Sequence, residues 1–346
     1  MGSYRLLLAI LVALSHMYVL LFSCNPGVIA VISFYLISGY VMSSLIERYY
    51  KNPFNALGFY LDRAARLFPQ FIFYLMAGTI CAYLLKLPDF SKFSPGRWLL
   101  DSLIIPTGFY MFRDKGDFHI LPQTWSLGLE MTFYLIIPWL AKYSSPRLIA
   151  IVMMGSMAVF AAGYIGIINF DWYSYRLLPG TLFIFITGSL FYSKDRIYLL
   201  YIVFVYAYVE VLFLIGNAFN IFHTIVVTHE VIIGLLIGIP ALGILKKFKF
   251  SALDEFLGNL SYGVFLNHYM VIWVMDKLLA THHHKGLTTH PQEEFLSVYS
   301  EGGLWPIISV ILISCALSFI SYTLVETPAI KWRRKIRDKQ ASLQAA

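Results

Sequence analysis

Ten apolar runs of about twenty residues each divide this 346-residue chain, and they leave it essentially one kind of fold. The runs cover approximately 4–22, 27–46, 67–85, 124–141, 148–168, 178–193, 197–216, 222–245, 258–275 and 304–325. In hydrocarbon a segment must satisfy its own backbone polar groups, and a helix does this without a partner. The pattern therefore predicts an all-α polytopic membrane protein of about ten transmembrane helices. Composition agrees, since 59% of the residues are hydrophobic and 13% charged, against roughly half and a quarter in a soluble domain. Mean hydropathy is +0.69.

The basic residues set the orientation. With the N-terminus in the cytoplasm, 18 of the 26 Lys and Arg fall in inside segments, so both termini are expected to be cytoplasmic. The net charge of +7 then marks a membrane face, and nucleic acid is excluded as a partner. Three cysteines (Cys24, Cys81, Cys315) have neither a disulfide framework nor a metal-ligand spacing, and no metal site is expected. Leu21-Phe22-Ser23-Cys24 has the outline of a lipoprotein cleavage site, but bulky Phe22 argues for a retained first helix. The segment 99–112 is apolar, too short to span, and broken by Pro106 and Gly108, so it is expected to be interfacial or re-entrant. The domain division is a membrane domain over 1–330 and a basic cytoplasmic tail over 331–346.

Polar groups inside these runs are costly, so each is a candidate for function. Arg5 and His16 are eleven residues apart in the first run. At about 100° and 1.5 Å per residue they share one helix face, about 16 Å apart along the axis. The pair suits a site that holds an anion near the surface and does chemistry deeper in. An interfacial anchor plus a hydrogen-bonded histidine would use the same residues. Arg63 and Arg66 share a helix face just before the third run and could hold phosphate bidentately, or serve as an anchor with Asp62 paired to Arg66. Glu130 lies about two turns into the fourth run, either paired to another helix or placed to orient an imidazole or an acceptor hydroxyl. His268 in the ninth run is a second buried imidazole with a structural reading of its own. Glu210, His229 and Glu230 are weaker candidates, and His282-His283-His284 reads as a solvated run.

Taken together these residues resemble the acyltransferase-3 family of integral membrane acyltransferases. The match is spread over most of the chain. Arg5 and His16 are similar to that family's arginine-ten-residues-histidine pattern, and Phe34 to Tyr40, with Ser38 and Gly39, to its second-span aromatic-Ser-Gly motif. Arg63 and Arg66 with Pro69 resemble its two-arginine motif. Trp125-Ser126-Leu127 with Glu130, Phe133 and Tyr134 resembles its Trp-Ser-Leu signature. Leu257-Gly258, Ser261-Tyr262, His268 and Glu326-Thr327-Pro328 resemble its C-terminal motifs. Thr327 stands where a basic residue is common, and Asn267 where an aromatic often sits.

The resemblance implies transfer of an acyl group, most often acetyl, from cytoplasmic acyl-CoA to a hydroxyl of a surface or lipid-linked carbohydrate. The expected setting is the bacterial inner membrane, with acyl-CoA as co-substrate and no bound cofactor. His16 is expected to be catalytic, as general base or as a covalent acyl carrier, and Glu130 to orient it or the acceptor. The remaining site is Arg5, Arg63, Arg66, Ser38, Trp125, Tyr134 and His268, binding acyl-CoA and substrate. Ser38 and Gly39 would also let helices approach closely. Some family members carry a fused extracytoplasmic domain. None is expected here, so the chain would act directly or through a separate extracytoplasmic transferase. The competing class is a transporter or flippase for a lipid or small solute, but no internal repeat supports it.

Overall fold

The computed structural model describes residues 1–51, 54–112, 118–143, 145–249, 251–280 and 304–345. Its helices are α1 (Gly2–His16), α2 (Pro26–Tyr49), α3 (Ala56–Leu84), α4 (Pro95–Asp101), α5 (Trp125–Tyr143), α6 (Pro146–Tyr164), α7 (Leu178–Leu190), α8 (Arg196–Ala218), α9 (Ile221–Thr224), α10 (Thr228–Leu245), α11 (Ala252–Ala280), α12 (Leu304–Ser321) and α13 (Thr327–Ala345). Among the described residues six helical stretches are long and apolar enough to cross a membrane. Among the described residues there is no strand, only an isolated bridge between Leu21 and Cys24. The chain is the all-α polytopic membrane protein that the apolar runs predict.

Helix α2 is the axis of the bundle, packed against α1, α5, α7 and α10. Its first turn is closed by Asn25, whose side chain accepts from Gly27 N at 2.9 Å, with Pro26 preset for the helical φ. The α2–α7 seam is built on small residues. A Cβ on Gly39 would overlap the Phe185 carbonyl, and one on Gly188 would overlap the Leu36 carbonyl. The two backbones thus pass in contact, as small residues permit between apolar helices. Ser189 Oγ donates to the Gly39 carbonyl at 3.1 Å across the same seam.

Helix α11 forms a second seam with α1, α3 and α12. Here the glue is polar. Asn267 donates to Ser314 O at 2.9 Å and to Tyr74 OH at 3.2 Å, and Gln70 donates to Ser321 Oγ at 2.8 Å. The open N-terminus of α1 is capped by a neighbouring helix. Asp254 accepts from Gly2 N at 2.7 Å, Ser3 N at 2.9 Å, Ser3 Oγ at 2.7 Å and the Met1 nitrogen at 2.6 Å. Gly2 and Gly258 let the two backbones meet there. The cap fixes α1 on α11, and with it the positions of Arg5 and His16.

Four expectations are corrected. Helix α1 stops at His16 instead of running to 22, and Tyr18, Phe22 and Ser23 turn through left-handed φ of 56°, 50° and 62°. Fifteen residues reach about 22 Å, short of the roughly 30 Å hydrocarbon thickness. Helix α7 has 13 residues and is buried along nearly all its length, so it needs no full apolar span. The basic tail expected from 331 belongs to α13, which packs on α3 and places Arg333 Nε 3.5 Å from Asp62 Oδ1. Asp62 also pairs with Arg63, while Arg66 takes Glu326, so no Asp62–Arg66 pair forms. Residues 282–284 lie outside the described residues.

Two tests follow from the seams. Gly39→Ala or Gly188→Ala should destabilise by about 1–3 kcal/mol through overpacking, whereas Gly155→Ala, with nothing within 4 Å, should melt like the parent. At Asp254, a turn before the expected span at 258–275, burial raises the carboxyl pKa. Hydrogen bonds from Met1, Gly2 and Ser3 more than reverse this, holding it well below the usual carboxylate range. The sign is that of a depressed acid: the stabilisation is full above about pH 4 and drains as pH falls. Asp254→Asn should lower the melting temperature at pH 7 and make it less sensitive to acid below about pH 4. Thermal unfolding in detergent across that range reads both effects.

Candidate active site

Three adjacent chambers run through the bundle. The inner one, about 120 Å³, is lined by Arg5, Ser38, Arg63, Arg66, Glu130 and Tyr134 among others. The middle one, about 130 Å³, shares Val31, Ser126 and Phe265 with the inner chamber. The outer one, about 260 Å³, shares His16, Trp125 and Arg176 with the middle chamber. His16 therefore faces the interior path from one side and the outer chamber from the other.

The inner chamber is a cluster of compensated charges. Arg63 donates to Asp62 Oδ2 from Nε at 3.0 Å, and Arg66 pairs with Glu326 while lying 5.6 Å from the Tyr262 ring centroid. Glu326 is set by a π-turn, Tyr322–Glu326, closed by Thr327 Oγ1 on the Tyr322 carbonyl at 2.9 Å. Glu130 accepts from Ser38 Oγ at 2.5 Å and from Tyr134 OH one helical turn on. Among the described residues no carboxylate pairs with Arg5, which leaves its donors available to an anion.

At the other end of α1, the His16 ring lies over His268, with centroids 5.3 Å apart and planes 14° apart. Its Nδ1 is 2.9 Å from Tyr269 OH. His268 is fully buried, and its Nδ1–H donates to Val264 O at 3.2 Å. It lines none of the three chambers and acts as the shelf on which His16 rests.

The outer chamber is aromatic and polar. Arg176 lies 4.3 Å from the Trp125 ring centroid and 5.6 Å from that of Tyr110, and donates to Asp171 at 2.8 Å. Asp171 and Arg176 are five apart on the π-helical segment Phe170–Arg176, a spacing that this wider turn brings together. Opposite them, His119 Nδ1 is 3.3 Å from Asp101 Oδ2.

Of the residues singled out in the sequence, the structure gathers Arg5, Ser38, Arg63, Arg66, Glu130 and Tyr134 in the inner chamber. Glu130 is bonded to Ser38 and Tyr134, and the hydroxyl that holds His16 belongs to Tyr269. Trp125 lies with the middle and outer chambers. His229 sits by Cys24, with Sγ to Nδ1 3.9 Å, and Glu230 accepts from Asn25 N at 3.3 Å, so both serve the turn before α2, and neither lines a chamber itself. Sequence reasoning missed Tyr110, Asp101, His119, Arg176 and Tyr269 as site residues. Tyr110, Asp101, His119 and Arg176 come from short helical segments and turns with no long period, and only the position of Tyr269 next to His268 on α11 gave any signal.

The acyltransferase-3 family model, an acyltransferase domain, matches residues 4–323. An uncharacterized protein of Aquifex aeolicus (strain VF5) is 28% identical over 228 residues, covering 62% of this chain and 89% of the relative. No solved structure matches. With the match spanning nearly the whole chain, the chain belongs to the acyltransferase-3 family and is an integral, multi-pass membrane acyltransferase.

Proposed function

We propose that the chain takes an acyl group, acetyl being the simplest, from a cytoplasmic CoA thioester and passes it through His16 to a carbohydrate hydroxyl in the outer chamber. The observation that carries this reading is that His16 lines both the middle and the outer chamber. A reagent arriving from the arginine end and one arriving from the opposite end would meet at the same ring. Surface or lipid-linked glycan is the acceptor class, and the bacterial plasma membrane is the setting in which the two substrates lie on opposite sides.

The residues at each end support the assignment. At about 120 Å³ the inner chamber would take the pantetheine chain, and the nucleotide phosphates would remain at the guanidiniums of Arg5, Arg63 and Arg66. Glu130 holds Ser38 and Tyr134 by their hydroxyls and so keeps the wall of that chamber in one arrangement. Ring stacking of Arg176, Trp125 and Tyr110 makes a flat polar and aromatic surface suited to a sugar ring.

The partner of His16 favours the covalent carrier over the general base. In the free enzyme Nδ1–H donates to the Tyr269 oxygen, leaving the Nε2 lone pair to attack the thioester carbonyl. The carbon–sulfur bond breaks, and the ring proton leaves with CoA as its thiol. Nδ1 of the resulting neutral acyl-imidazole is an acceptor, and the same tyrosine then donates to it. A hydroxyl serves both states because it donates and accepts, whereas an ionised carboxylate only accepts. A base at this position would instead hold an imidazolium until its proton passed to the leaving thiolate, in an apolar bundle, beside Arg176 and without a carboxylate partner among the described residues.

Purified protein in lipid, given labelled acetyl-CoA and no acceptor, should release one CoA thiol per chain and retain the label. His16→Ala should lose retention and transfer by about 10³-fold or more while its acetyl-CoA affinity stays within about threefold. Retention in that variant, or solute movement without acyl transfer, would overturn the reading. Arg5→Gln and Arg66→Lys should each weaken acetyl-CoA binding about 10–100-fold, the size of a lost charged hydrogen bond. Unchanged affinity by calorimetry would return both arginines to holding helices together.

A further inference from the structure

The outer chamber holds a second imidazole with a different kind of partner. His119 lines this chamber with His16, and its Nδ1 lies 3.3 Å from the carboxylate of Asp101. The carboxylate accepts, so Nδ1 carries the proton and Nε2 is left as the basic nitrogen. Asp101 would also stabilise the imidazolium formed when that nitrogen takes a proton. His16 has no such partner. One ring is thus held for acyl carriage by a group that can both donate and accept. The other is held for proton uptake by one that only accepts.

Both members of this pair are fixed by packing. Asp101 closes α4, which is tied to α3 by Trp98 Nε1 donating to Thr79 Oγ1 at 2.9 Å. His119 is followed by Ile120 and Leu121, buried at 3% and 5% exposure, and Ile120 packs against Gly78. The side chains themselves stay accessible, at 22% for His119 and 12% for Asp101. An anchored dyad with a reachable nitrogen is the arrangement that proton transfer to a bound hydroxyl needs.

We propose that His119, oriented by Asp101, is the general base that removes the proton of the acceptor hydroxyl in the outer chamber. The proposal rests on the carrier role given to His16. The acceptor oxygen attacks the acyl carbonyl on His16 Nε2 as its proton passes to His119 Nε2. The carbon–nitrogen bond then breaks, and the proton returns to the departing His16 ring. Both imidazoles end neutral, the ester is formed, and no further reactant is consumed. Asp101 acts through His119 and is a positioning residue.

The test uses the full-length protein in lipid, loaded with labelled acetyl-CoA and then freed of it. The quantity read is decay of the labelled chain in water and with octyl β-D-glucoside as hydroxyl donor. His119→Gln should load like the parent, with the same burst of CoA thiol, and lose its label about 10²–10⁴-fold more slowly in both media. Asp101→Asn should also load normally and decay more slowly than the parent, and Asp101→Glu, which keeps the acceptor, should recover most of the rate. In Asp101→Asn the imidazolium would have lost its counter-charge, with Arg176, His16, Tyr110 and Tyr269 still facing the chamber. Decay of His119→Gln within threefold of the parent, or loss of loading together with decay, would overturn the assignment. Decay of Asp101→Asn at the parent rate, or no recovery in Asp101→Glu, would remove Asp101 from it. If the parent never retains label, the carrier reading of His16 fails instead, and the two failures are told apart by the loading step.

Discussion

A hydroxyl against an imidazole nitrogen, Tyr269 OH to His16 Nδ1 at 2.9 Å, is the contact on which the arrangement of this protein turns. An imidazole at the end of a membrane helix has few inexpensive surroundings. It receives one polar partner, a stacked ring beneath it, and chambers on two sides. Helix α1 ends at the histidine, so the ring lies where the backbone turns away instead of midway along a lipid-facing rod. The Asp254 cap at the opposite end of α1 holds the helix on α11, which carries both His268 and Tyr269. One helix pair thus fixes His16, its shelf and its hydrogen-bond partner as a unit.

Charge is handled differently at the two ends. Toward the inner chamber, Asp62 and Glu326 partner Arg63 and Arg66, so the guanidiniums are held in place before any ligand arrives. The Arg66–Glu326 pair clamps the π-turn onto α3, and Arg333, near Asp62, brings α13 to the same helix. Anchoring and anion binding are therefore not rival roles for these arginines. Charges buried at 6% exposure, as for Arg63, need fixed partners if they are to stay in the apolar bundle. In the outer chamber the guanidinium of Arg176 is paired with Asp171 and spread over aromatic faces.

Much of the fold was legible because lipid imposes strict length and polarity rules. The apolar runs located the long helices, and Gly39 marked the α2–α7 seam. Legibility failed where a short helix is buried by protein on all sides, as in α7, or where backbone lining a chamber need not be helical, as after His16. For the candidate site, the residues that sequence singled out lie on helices. Arg5, Ser38, Arg63, Arg66, Glu130 and Tyr134 sit at helical spacings and converge as their motifs suggested. Glu130 shows the limit, since its position in the sequence said it needed a partner and could not say which. Asp101 at the end of the seven-residue α4, His119 in a loop and Arg176 on a π-helical turn come from short segments between the long helices, and no period marks such residues.

The central claim is that the acyl group rests on residue 16 between its two substrates. Rapid quenching of the lipid-embedded protein with limiting labelled acetyl-CoA, followed by peptide mass analysis, tests it most directly. The account predicts an acetyl group on the peptide carrying His16, appearing with the released thiol and disappearing when a hydroxyl acceptor is added. Transfer to acceptor with no acylated chain at any time point, or an acetyl group on a different residue that is kinetically competent, would contradict it.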